Sequence, residues 1–155
     1  MVGRNFCYGK ITDSYTIGTI SGVSSVGGLV GDNNNVVVKC YSDAQVSGDY
    51  HIGGLVGGKS WDDSYTSCFW DANVNPDMNG FGNGSHPNVI GKTTAEMQTE
   101  TTFTGAGWDF VEVWNIGENQ TYPFLRVYPA GDINHDGIVN FKDVSILCEH
   151  WLEGE

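Results

Sequence analysis

Apolar and polar residues follow two different rhythms along this chain. Through about residue 71 the apolar positions come in short runs such as VVVKCYS, AQVSG and GGLVG, each broken within a few positions by Gly, Asn or Asp. Short β-rich runs with such breakers predict brief strands that turn at the glycines. The runs also recur. VGGLVG at 26–31 returns as IGGLVG at 52–57, an offset of 26 residues that also carries Tyr15 to Tyr41, Ile20 to Val46 and Ser21-Gly22 to Ser47-Gly48. A period in this range marks a repeat array. Stacked coils would place Val26 over Ile52, Leu29 over Leu55 and Val30 over Val56. One coil cannot bury its apolar face alone, so neighbours hold each other up. Val2-Gly3 reads as the tail of an earlier GGLVG, and Val2 to Tyr15 is the same distance as Val56 to Phe69. A third and part of a fourth copy therefore run through Ser67-Cys68-Phe69-Trp70-Asp71, and the chain begins in mid-repeat.

Beyond the repeats the rhythm changes. Residues 73–88 are rich in Gly, Asn and Pro and read as a long loop, ordered or mobile. Thr93 and Glu96 have the spacing of a helix capping box. Trp108, Phe110, Val111, Val113, Trp114 and Ile116 then supply apolar mass, expected to cover the last open coil and its strand edge. Near the C-terminus Val144, Leu147, Cys148, Trp151 and Leu152 recur at i, i+3, i+4, i+7 and i+8, the stripe of an amphipathic helix that Gly154 can end. Pro123, Pro129 and Gly131 leave no room for a helix before it. The expected fold is thus mainly β: a β-solenoid of about 26-residue Gly-rich repeats over 1–72, a loop and capping segment over 73–128, and a loop and helix over 129–155.

The run DINHDGIVNFKD at 132–143 carries the clearest chemistry. Asp132, Asn134 and Asp136 fall at positions 1, 3 and 5 of an about 12-residue calcium loop. Gly137 stands at the sharp turn of position 6, where a Cβ would hinder the chain. Ile138 at position 7 offers its backbone carbonyl, Asn140 at position 9 reaches the ion through a water, and Asp143 closes the loop at position 12. Three carboxylates and two amides form a hard, all-oxygen shell, suited to Ca²⁺ rather than zinc or copper. The expected cofactor is Ca²⁺.

Charge narrows the partners. With 7 basic against 19 acidic residues the formal charge is −12, which argues against nucleic acid, whose phosphates need Lys and Arg clusters. No apolar run is long enough to span a bilayer, and residues 1–10 lack the hydrophobic core of a signal peptide. Loop chemistry of this kind implies abundant calcium, so the expected location is extracellular or on a bacterial cell surface, the chain being cut from a longer secreted precursor. Cys7, Cys40, Cys68 and Cys148 show neither CxxC nor zinc spacing. Buried free thiols or a disulfide are the two readings for Cys40 and Cys68.

Two families resemble parts of this sequence. The GGLVG blocks resemble the GLUG repeat of bacterial surface proteins, found also as a non-catalytic part of some IgA peptidases. That resemblance covers residues 2 to about 71, and residues 91–125 look like the segment that commonly closes such arrays. Residues 131–152 resemble one half of a type I dockerin, a calcium-dependent plug that attaches mostly polysaccharide-degrading enzymes to cohesin modules. The family has two such repeats and here there is one. Positions 10 and 11 of the loop, which help select the cohesin, are Phe141 and Lys142. The resemblance implies docking through Phe141, Lys142, Leu147 and Trp151 to a cohesin-like or surface protein. The helix stripe would otherwise fold back near Trp114 and Phe124, or pair with a second chain.

Other motifs carry less. Gly91-Lys92-Thr93 imitates the end of a phosphate loop, but His86 stands where a glycine is needed and Pro87 interrupts the cradle. There is no GxSxG or HExxH. Asp62-Asp63, Asp71 and Asp109 are the carboxylates that a glycosidase pair would draw on. His51, His86, His135 and His150 share no spacing. The column Tyr15, Tyr41 and Phe69, with Trp61, Tyr65 and Trp70 nearby, is either packing or an exposed row of rings for a glycan. The expected function is non-catalytic: a repeat and adhesion module with a calcium-dependent attachment motif. The second expectation is the accessory tail of a polysaccharide-degrading enzyme or peptidase whose catalytic domain lies upstream.

Overall fold

The computed structural model describes residues 1–59 and 64–151. Trp61, Asp62-Asp63, Leu152 and Gly154 lie outside the described residues.

The repeat offset read from the sequence is the strand register. Val2–Asn5, Val30–Asn33 and Val56–Lys59 pair side by side in parallel. Lys10–Thr12, Val36–Val38 and Ser64–Thr66 form a second such row. Tyr15–Thr16, Tyr41–Ser42, Cys68–Asp71 and Val89–Lys92 form a third. Thr19–Ser21 pairs with Gln45–Ser47, and Ser24–Gly27 with Tyr50–Gly53. The molecule is mainly β, with several parallel sheets and no closed barrel. Partners stand 26 residues apart at Val30↔Val56, Tyr15↔Tyr41 and Ile20↔Val46, and 28 apart at Val2↔Val30 and Tyr41↔Phe69. In the first of these rows the two extra residues fall in the turn at 6–9, where Cys7 and Tyr8 adopt φ 47° and 61°.

The glycines let these rows approach. A Cβ on Gly27 would stand 2.5 Å from the Gly57 nitrogen and 2.7 Å from the Leu55 carbonyl; one on Gly53 would stand 2.6 Å from the Gly82 nitrogen. Backbone on backbone leaves no room for a side chain there. The aliphatic columns do stack inside, Leu29 beside Leu55 and Val30 beside Val56, all at most 2 % exposed. Between them runs a polar ladder: Asn5 donates to Asn33 Oδ1 (2.7 Å), and Asn33 donates to the Tyr65 hydroxyl (2.8 Å). Buried amides paired in this way cost the fold little, whereas an unpaired one would be expensive.

Residues 73–92 are an ordered excursion. Asn75 is buried, accepts from the Val46 amide and donates to the Ala44 carbonyl. Phe81 bridges to Val56 and is 2 % exposed. With Val89–Lys92 paired against Cys68–Asp71, these residues cover the end of the array. Thr93 and Glu96 make the expected capping box at the head of the helix Thr94–Met97, and the helix Glu100–Thr104 follows.

The segment expected to cap the last coil sits elsewhere. Met97, Phe103, Trp108, Phe110 and Trp114 pack flank-on against Tyr41 and Phe69, with Tyr15 and Tyr122 at the margin. Tyr41 stacks on Tyr15 at 5.3 Å and on Tyr122 at 6.2 Å. The segment is tied across successive repeats: Trp114 Nε1 donates to Asp13 (3.2 Å), the Tyr41 hydroxyl to the Pro123 carbonyl (2.6 Å), and Trp108 Nε1 to the Ser67 carbonyl (3.0 Å). It is a strap along the array, lying over the ring column. Val111, expected to help, stays 74 % exposed. The rings are likewise withdrawn from solvent, with Tyr41 at 1 % and Phe69 at 3 %, so the column is not an exposed row that could meet a glycan face.

Candidate metal centre

Residues 129–140 contain no helix, as Pro129 and Gly131 suggested, and the chain passes from the strand pair Trp114–Asn115 and Phe124–Leu125 into the loop. Positive φ at Gly131 (98°), His135 (58°) and Gly137 (86°) curls the loop back on itself. Asp143, in the first turn of the helix Phe141–Trp151, reaches the loop's beginning. Its Oδ1 accepts from the Ile133 amide (2.7 Å) and the Asn134 amide (3.2 Å), and its Oδ2 from the Asn140 amide (2.8 Å). Asp132 accepts from the Asp136 amide (3.1 Å) and the Gly137 amide (2.8 Å). Ends separated by a whole loop are thereby held in one ring.

The remaining expected ligands belong to the same ring. Asn134 Oδ1 accepts from the Asp136 amide and Asn134 Nδ2 donates to Asp136 Oδ2. Asn140 Nδ2 donates to the Ile138 carbonyl at 3.2 Å. Asp132 (5 % exposed) and Asp143 (1 % exposed) are buried, while Asn134, Asp136 and Ile138 face solvent. Backbone amides, that of Asn140 foremost and then those of Asn134 and Ile133, hold the Asp143 carboxyl below the usual carboxylate range against the opposing effect of desolvation.

This donor set fits a hard divalent cation by its chemistry. Each member offers oxygen, and although Lys142 lies in the same loop, none of the three carboxylates is in an ion pair among the described residues. The ion pairs among the described residues are Lys92–Glu96 and His135–Glu112. The carboxylates alone do not make a metal site: among the described residues no group of three or more His, Cys, Asp or Glu side chains is gathered to hold an ion. The two amides and the Ile138 carbonyl are needed to complete a shell.

The helix does not fold back on the strap. Val144 is 49 % and Leu147 50 % exposed, Cys148 is exposed, and Phe141 is 90 % exposed beside exposed Lys142. For Trp151 only the backbone is described, as the last residue of the helix. What rests on the strap is the loop: His135 stacks on Tyr128 at 4.3 Å and lies 3.3 Å from Glu112. A shallow cleft of about 330 Å³ runs between them, lined in part by Phe124, Arg126 and Gly137. The short link from residue 125 to residue 131 brings the loop back but leaves the helix projecting.

Of the carboxylates weighed for a glycosidase pair, Asp71 and Asp109 are among the described residues, and each is bonded to its own separate partners. Asp71 is buried and bonded to Thr94 and Tyr122, and Asp109 caps the amides of Val111 and Glu112. Lys92 lies in a strand and pairs with Glu96. Cys40 and Cys68 are buried free thiols, and Cys7 and Cys148 are exposed.

Fold and loop together define a mainly β protein of parallel repeated strands with an appended loop and helix. No family model matches the chain, and no solved structure matches it. It is similar to "Putative Gly-rich membrane protein" of Evansella cellulosilytica, at 31 % identity over 148 residues, covering 88 % of this chain and 16 % of that protein. This chain thus spans about one sixth of the length of that relative. The relative's name points to a membrane location and overturns the extracellular or cell-surface location expected from the calcium chemistry. Acidity and a calcium-type loop do not encode an address. Among the described residues no helix is long and apolar enough to cross a membrane.

Proposed function

We propose that this chain is a non-catalytic β-solenoid module of a larger protein and that it carries a calcium-binding loop and helix for attachment to a partner. The observation that carries the reading is the ring in which Asp143, across a whole loop, accepts amides from Ile133, Asn134 and Asn140 while Asp132 accepts those of Asp136 and Gly137. Calcium would be held by Asp132, Asn134, Asp136, the Ile138 carbonyl, Asn140 through a water, and Asp143. A cation there offsets the mutual repulsion of three carboxylates and fixes the orientation of the helix that Asp143 begins. The parallel register at one-repeat offsets supports the solenoid, and the resemblance to GLUG repeats and a dockerin half supports the module's role. The exposed positions Phe141, Lys142 and Leu147, with Trp151 on the same helix, are the docking surface this reading assigns to a cohesin-like or other protein partner. The relative's name suits a membrane-associated parent.

A second reading makes the same module the accessory tail of an enzyme, either polysaccharide-degrading or proteolytic. The small share of the relative's length that it spans favours a parent with room for another domain.

Calorimetric titration tests the calcium assignment. The wild-type protein should take up one Ca²⁺ per chain, with Mg²⁺ a weak competitor because it gives up its water reluctantly. Asp143→Ala should lose binding at least about 100-fold, since it removes the closing carboxylate. Equal calcium heats in the two proteins would refute the site.

A further inference from the structure

A second acidic feature lies on the repeats. Asp43 and Asp71 stand at the same place in successive repeats, each two residues beyond the paired rings Tyr41 and Phe69. Asp71 is fully buried. Its Oδ1 accepts from the amides of Asn73 (2.7 Å) and Val74 (3.3 Å). Its Oδ2 accepts from the hydroxyls of Thr94 (2.8 Å) and Tyr122 (2.6 Å), so this one oxygen pins both the first helix and the end of the strap to the array. Asp43 has no such company. Its Oδ1 is buried without a hydrogen-bond partner, and so is the hydroxyl of Thr16, whose carbonyl accepts the Asp43 amide.

The groups that act on Asp43 are all acidic or neutral. Asp71 stands beside it in the next repeat, one residue beyond the paired Ser42 and Trp70, and, after burial, Asp43 in turn pushes the phenols of Tyr41 and Tyr122 up. Its own burial, then Asp71, push the Asp43 carboxyl up to about 6, opposed by its own backbone amide. A carboxylate can only accept, whereas a carboxylic acid can donate. Protonation therefore suits an oxygen that no donor reaches.

We propose that Asp43, set beside Asp71 of the next repeat, is a proton-binding site that takes up one proton between neutral and mildly acidic pH and stabilises the fold when protonated. With Asp43 ionised, its half-buried carboxylate and the buried one of Asp71 repel each other across adjacent repeats. The direction follows from linkage. A folded-state value raised above 3.8 means that the folded protein binds more protons than the unfolded chain between about pH 4 and 6. Stability from this group is therefore fully present below that window and is lost as pH rises through about 6.

Thermal melts of the full chain and Asp43→Asn at pH 5.0 and 7.5 test the site. The wild type should gain about 5 °C more than the variant on going to pH 5.0, and the variant should melt higher than the wild type at pH 7.5. Parallel melting profiles would overturn the proposal. Because the variant's amide can disturb packing, carbon-13 NMR of the Asp43 carboxyl in the unmutated protein provides a second measurement. A midpoint near 6 supports the site, and a midpoint near 4 overturns it.

Discussion

Single side chains here are sorted by whether the backbone leaves them a partner. Asn33 and Asn75 are buried and fully engaged, Asp71 is buried among four donors, and Asp143 gathers three amides. The cysteines divide the same way. Burial pushes the Cys40 thiol up to about 12 and the Cys68 thiol up to about 11, and both sulfurs lean on backbone carbonyls. Thiolate is the reactive form, so neither should react in the folded protein. Iodoacetamide at pH 8 should modify Cys7 and Cys148 alone, and all four only in denaturant, as read by mass spectrometry. Modification of Cys40 or Cys68 in the native protein would contradict the columns drawn here. Spacing in the sequence revealed the matched positions of Cys40 and Cys68 and picked out the residues that bond into one ring in the loop, because both are local or periodic signals. The Asn5–Asn33–Tyr65 ladder was not legible, since Lys59 stands at the third position of the asparagine pair and Tyr65 reaches in from another strand.

At the scale of elements, the repeats were readable and the strap was not. Val26, Leu29 and Val30 announce their partners by an offset, whereas nothing periodic tells Trp108 or Trp114 which surface it will cover. The segment's aromatic content predicted a covering role, and only packing decides between an end and a flank. The helix illustrates the converse. Its apolar stripe is plain in the sequence, but Val144 and Leu147 remain about half exposed because the loop, not the helix, meets Tyr128 and Glu112. An isolated helix of 11 residues is marginal in water, so its order rests on Asp143 and on whatever covers the stripe. The strap makes a sharp prediction. Trp114→Ala removes a fully buried indole and its bond to Asp13, and should cost about 3–5 kcal/mol. Val111→Ala, at a residue 74 % exposed, should stay within about 0.5 kcal/mol. Urea denaturation separates the two. Equal midpoints would mean that residues 93–125 do not hold the array together.

In the whole molecule the labour is divided. The parallel rows, ladder and strap are built from residues 1–59 and 64–128, and the loop and helix of 129–151 meet them through His135, Tyr128 and Glu112. Calcium should act on the second part and leave the first unchanged. Amide hydrogen exchange of the intact chain, with calcium and with chelator, tests that division most directly. The account predicts that calcium slows exchange at Ile133, Asn134, Asp136, Gly137 and Asn140, the amides held by Asp132 and Asp143, and through the following helix. It predicts no change at Leu29, Val37, Leu55 or Phe103. Loop amides indifferent to calcium, or protection that rises throughout the repeats instead, would contradict it.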